Sequence, residues 1–412
     1  MRWRNLVNQF IPILFTAVLL SSSVVSFEDP VDRARQFTAP VEYDYVRWLA
    51  TAMSEKSAQA QLNAAQRLSP ADQSDVVRRY FELVRELEEM EAQIQRIYTD
   101  PSIKDPESSA AAVLRDHSAV ETALADLAPL AESILQAQVT QALDDEGIGF
   151  LSQAMPPVLF HSSPLPKALI VSPRDTIRQE VNISLLANLS LEDITRLENR
   201  VEKSMDASAL VVDVGGIGVY PTMVQRSSSL EWTIDTIAHE WTHNYLTLHP
   251  LGLNYDTTPE LRTMNETTAS IVGSEISRAV LEKHYPELAT SGTKTGNVLA
   301  SPEKQEFDFR REMHLTRIKV DELLSKGLVD EAETYMEQRR IVFVEHGYMI
   351  RKLNQAYFAF HGAYADTPGG AAGEDPVGPA VRELRQQSAT LAEFLRTIAW
   401  MNSFEDLQQA IQ

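Results

Sequence analysis

Ile237-Ala238-His239-Glu240-Trp241-Thr242-His243-Asn244-Tyr245 is the stretch that decides how the rest of the chain is read. On a helix, positions four apart lie about 40° from each other, so His239 and His243 project from one face and can reach the same ion. Glu240 sits at the edge of that face, where it can take a proton from a zinc-bound water, the water-activating chemistry of a metallopeptidase. The flanking residues carry no charge, which predicts a mostly buried helix. Ser228 and Glu231 have capping-box spacing before it, and Pro250 is expected to stop it beyond Leu248.

Two histidines leave a zinc ion short of a protein ligand. One candidate for the third is Glu266, in Met264-Asn265-Glu266-Thr267-Thr268-Ala269, on a second predicted helix that Thr258 can cap and Pro259 can open. Glu275 lies nine residues further on, about 180° round the same helix, and cannot face the same ion. The other candidate is His249. This pattern resembles the gluzincins, the thermolysin-like and zinc-aminopeptidase group, in which a glutamate in an Asn-Glu-x-x-Ala-like helix downstream completes the site. The resemblance covers Thr236 to Glu275 and implies His239, His243 and Glu266 as ligands of a single zinc ion, with Glu240 as the base. Where some members place an aspartate four residues after the ligand glutamate, this chain has Ser270. His249 falls where metzincins place their third histidine, but Leu246 replaces the glycine that turns their chain out of the helix. His249 is therefore read as a histidine near a helix C-terminus.

Arg2 and Arg4 precede an apolar run from Phe10 to about Leu20, followed by small residues to Ser26, the order of a secretory signal. Residues 1–27 are thus expected to be a signal peptide or an N-terminal membrane anchor, with a possible tether through residues 6–27. The protein is expected to be extracytoplasmic, secreted or held on the outer face of the cytoplasmic membrane. With 412 residues, 44% of them hydrophobic, there is material for a sizeable core. No cysteine is present, which excludes disulfides and thiolate zinc sites. The formal charge of −21 argues against a nucleic-acid partner, because phosphate contacts need clustered Lys and Arg.

The expected fold class is α+β and predominantly helical: a helical hairpin domain over residues 28–150, then a zincin-like catalytic domain over 151–412 with a small mixed sheet and the motif helix. In the first part, Val76, Val77, Tyr80, Phe81, Val84 and Leu87 recur at three- and four-residue spacings, and Thr99 to Ser109 reads as the turn. The hairpin is a possible surface for a protein partner. Val158–His161, Ala168–Ser172, Arg178–Leu186 and Leu210–Val214 read as strands. Gly215 to Met223 is the segment expected to carry an edge strand for substrate backbone. A long helix is expected from Val329 to Ala365, with Asn354, Tyr357, His361 and Tyr364 along one face; His361 or Tyr364 is the expected oxyanion donor. The function these residues predict is a zinc-dependent peptidase acting on a peptide or protein substrate. The alternative is a non-catalytic, membrane-tethered scaffold retaining a zincin fold.

Overall fold

The computed structural model describes residues 29–62, 64–99, 103–149, 154–289, 307–362 and 375–412. The N-terminal apolar segment, Tyr364 and most of the Gly/Pro-rich stretch after it lie outside the described residues. The architecture is predominantly helical with two small sheets. Among the described residues, no helix is long and apolar enough to cross a membrane.

Two helices, α1 (Pro30–Thr38) and α2 (Tyr45–Leu62), lead into a long pair, α3 (Pro70–Thr99) and α4 (Pro106–Asp145). The periodic apolar residues do form the inner face of α3, where Val77, Val84 and Leu87 are 0–1% exposed. The pair is antiparallel, since Glu91 near the end of α3 meets His117 near the start of α4. Asp105 caps α4 by accepting the Ser108 amide at 3.0 Å, and Pro106 takes the first helical position, where its missing N–H costs nothing.

The strands follow as β1 (Phe160–Ser162), β2 (Lys167–Pro173) and β3 (Val181–Leu185); then come α5 (Leu191–Met205), β4 (Ala207–Asp213), β5 (Gly216–Ile217) and β6 (Thr222–Val224). β2 is the centre of an antiparallel sheet, flanked by β3 and β4. In the second sheet β6 pairs in parallel with β1 and antiparallel with β5, so β5 is an edge strand. Helix α5 is not anticipated in the sequence reading. Its Ile194, Leu197 and Val201 bury one stripe against the sheet, but dense charge between them hides the period.

Helices α6 (Leu230–Leu246) and α7 (Pro259–His284) carry the motif and the downstream glutamate. The cap of α6 is Ser229, which accepts the Trp232 amide at 3.2 Å, one residue later than the predicted Ser228. Helix α6 ends at Leu246, and His249 becomes the residue before a single turn at Pro250–Leu253. Thr258 caps α7 with Pro259 at its first position, as the sequence predicts. Ile234, Ile237 and Trp241 of α6 and Val272 and Ile276 of α7 share one buried core with Val77, Leu87, Ile134 and Leu143 of the long pair. The hairpin therefore backs the motif helix directly.

The chain continues as α8 (Phe309–Ser325), α9 (Val329–Glu345), α10 (Gln355–His361), α11 (Val377–Gln387), α12 (Leu391–Ala399) and α13 (Phe404–Ala410). The single helix expected from Val329 to Ala365 is two. Gly347, at φ 90°, adopts a conformation open to few other residues and ends α9. Asn354 then caps α10 by accepting the Tyr357 amide at 3.0 Å, while its amide nitrogen donates to the Ala209 carbonyl in β4. A residue expected on a helix face is thus the helix start.

Candidate metal centre

Helices α6 and α7 lie close because Gly273 stands at their crossing: a Cβ there would sit 2.9 Å from the Asp235 carbonyl oxygen and 3.3 Å from His239 Cβ. This approach brings the downstream glutamate onto the motif face. His239 Nε2 and His243 Nε2 are 3.1 Å apart, and Glu266 Oε2 lies 3.5 Å from the first and 3.6 Å from the second. These three side chains form the metal-capable cluster found among the described residues.

The donors are oriented and one is unsatisfied. His243 Nδ1 is 2.7 Å from Asn265 Oδ1, which accepts its hydrogen and leaves Nε2 directed at the cluster. Glu266 Oε1 accepts from the Tyr255 hydroxyl, whereas buried Oε2, the oxygen aimed at the histidines, has no hydrogen-bond partner. A buried carboxylate oxygen without a partner is costly unless a cation completes it. The residues present therefore fit a metal ion.

Glu240 is 7% exposed and lies beside the cluster on the cleft floor. Burial raises its pKa, and Glu266 adds to the rise, against the two histidines. It is held under the edge strand: a Cβ on Gly216 would meet Glu240 Cγ at 2.7 Å, and one on Gly218 would meet Glu240 Oε2 at 3.4 Å. The glycines of this segment are therefore required by the carboxylate beneath them. Burial alone would lower the His243 imidazole, but the Glu266 carboxylate brings it up to about 9. Burial would raise Glu266, and the two histidines instead hold it well below the usual carboxylate range.

A cleft of about 670 Å³ opens over these groups, lined by β5 and its flanks on one side and by Thr247, Gly252 and Tyr255 on the other. Tyr255 is a site residue that sequence reading passes over. It stands in the loop between the two ligand-bearing helices, its ring perpendicular to that of His243. Arg262 Nε donates to its hydroxyl at 3.3 Å. Burial, with Glu266 next, raises the phenol well above its ordinary value, so Tyr255 is a neutral donor. Its only sequence signal is a position eleven residues before Glu266.

The other expected residues lie elsewhere. His361 ends α10 with its ring 4.3 Å from Tyr357, and burial lowers its pKa to about 4. Its neighbour Phe360 lines the cleft, and His361 does not. His249 is outside the cluster, stacked on Tyr245 at 4.5 Å. Glu275 faces away and binds Arg385 through two hydrogen bonds of 2.8 Å. Compared with known protein families, with curated proteins and with solved structures, the chain finds no match.

Proposed function

We propose that the protein is a zinc peptidase of gluzincin type, with His239, His243 and Glu266 as the ligands and Glu240 as the general base. The observation that carries this reading is the cluster's shape beside a buried carboxylate. Tetrahedral ligands at about 2.1 Å from an ion stand about 3.4 Å apart, and the cluster's edges of 3.1, 3.5 and 3.6 Å match that spacing. A zinc ion held there would polarise a carbonyl and lower the pKa of water at the site.

The chain's own groups divide the remaining work. Glu240, whose burial favours holding a proton, accepts one from the attacking water and returns it to the leaving amine. β5 offers an unpaired edge along the cleft, which suits main-chain hydrogen bonds to an extended peptide. Tyr255, a neutral hydroxyl on the opposite wall whose hydrogen goes to Glu266 Oε1, would turn that hydrogen to the oxyanion as its charge develops, in place of His361. The order of charged, apolar and small residues at the N-terminus supports action outside the cytoplasmic membrane. The test is hydrolysis of a quenched-fluorophore peptide library by the wild type and by Glu240→Gln, with zinc content measured on the same samples. Activity in the wild type alone, at equal zinc, supports the reading; equal activity in both contradicts it.

A further inference from the structure

We propose that Trp232 determines specificity: its indole, at the end of the cleft beyond His239, takes a large apolar side chain of the substrate, aromatic above all, a few residues from the bond to be cut. The inference deepens the peptidase reading above and rests on it. Trp232, Asp235, Thr236, His239, His243 and Thr247 all line the cleft. Their three- and four-residue steps put them on one stripe of α6.

The edge strand follows the same stripe. A Cβ on Gly215 would lie 2.9 Å from Trp232 Cζ2, one on Gly216 2.7 Å from Glu240 Cγ, and one on Gly218 3.0 Å from His243 Cβ. Residues 215 to 218 therefore run alongside α6 in the direction from Trp232 to His243. A peptide added to the free edge of β5 passes the metal cluster and meets Trp232 at one end. Trp232 stands two helical turns before His239, about 10 Å along the axis, which an extended peptide covers in about three residues.

The ring is held in place and offers an apolar surface. Gly215 lets the indole lie against the strand with no side chain between them, and Trp232 is still 37% exposed. A fixed aromatic in a cleft gives contact area at little ordering cost, and a second aromatic adds stacking to it. Val214 and Ile217 line the cleft beside it. The nearby carboxylates are engaged within the protein: Asp235 Oδ2 accepts from the Ser274 hydroxyl at 3.1 Å, and Asp213 pairs with Lys167. The observations therefore favour an apolar occupant over Lys or Arg.

The test uses zinc-loaded, full-length protein and quenched peptides that share one cleaved bond, with Phe, Ser or Arg placed two or three residues to either side of it. At one of these positions the wild type should prefer Phe to Ser about tenfold in kcat/KM, through KM. Trp232→Gln should bring that ratio to about one and Trp232→Phe should keep most of it, with equal zinc in all three. No preference in the wild type, or one that Trp232→Gln leaves intact, overturns the proposal. A preference for Arg that is lost in Trp232→Gln and at high salt overturns it in favour of a cationic side chain. If Trp232→Gln does not fold, Gly215→Ala, whose methyl must push the ring aside, should lower the preference for Phe instead, and full retention overturns the proposal. If the wild type cleaves none of the peptides, the peptidase reading fails, and fluorescence anisotropy of the labelled peptides decides the subsite: tighter binding of the Phe peptide that Trp232→Gln abolishes supports it, and equal binding overturns it.

Discussion

Two buried ionic clusters, one beside β1 and the other beneath the edge strand β5, differ in whether the protein supplies its own cation. In the first, Glu132, 3% exposed, accepts from Lys56 at 2.5 Å and from the Ser162 amide at 2.8 Å, with His161 Nδ1 3.3 Å away. Burial would raise the Glu132 carboxyl, but His161 and Lys56 hold it below its ordinary value. That network is complete and ties α2 and α4 to β1 at His161 and Ser162. The second cluster holds two carboxylates, Glu240 and Glu266, and two imidazoles, and leaves Glu266 Oε2 without a hydrogen-bond partner. A complete buried pair is architecture, whereas a buried site short of one cation is built for something that arrives from outside.

The largest effect that separates the two should come from Glu240→Gln. The variant should keep its metal and lose on the order of 10²–10⁴-fold in kcat, read by peptide hydrolysis alongside metal analysis. In the other cluster, Lys56→Met strands the buried Glu132 and should cost about 3–5 kcal/mol of stability in urea titration, whereas Lys56→Met/Glu132→Leu should recover most of that loss. Metal content should be unmoved in both. Loss of metal on changing Lys56 would break the contrast.

Two smaller changes sharpen it within the cleft. Tyr255→Phe should lower kcat by on the order of 10²-fold with little change in KM, if its hydroxyl serves the oxyanion; a change confined to metal affinity would reduce Tyr255 to a support for Glu266. The gentlest effect is in proton uptake. In the metal-free protein His243 is raised from 6.5 to about 9, so its bonded, charged form adds stability that is fully present below pH 6.5 and lost as pH rises through about 9. Metal must displace that proton. Titration calorimetry in buffers of different ionisation enthalpy should find about one proton released at pH 7, from His243, falling away above pH 9.

The contrast also explains what sequence could reveal. His239, Glu240 and His243 were legible because helical spacing is fixed by the backbone, and Glu266 through the resemblance to gluzincins; the structure brings the three expected ligands to one point. The Thr258 cap and Pro259 opening of α7 followed from the same local rules. Tyr255 was not legible, because a loop residue's place depends on how Gly252 packs against the end of α6. The single helix expected from Val329 to Ala365 failed for the opposite reason: the helical period runs unbroken in the letters, yet Gly347 and the Asn354 cap divide it, and Tyr357 and His361 keep their four-residue spacing on α10 away from the cleft. The Lys56–Glu132–His161 network joins residues up to 105 positions apart, from three elements. Nothing in their spacing announces it.

The most direct test of the central claim is zinc content after reconstitution and dialysis, for the wild type, Glu266→Ala and His249→Ala in parallel. Stoichiometric zinc is expected in the wild type and in His249→Ala, and its loss in Glu266→Ala. A wild type that takes up no zinc, or a Glu266→Ala variant that keeps it, would contradict the assignment of the site.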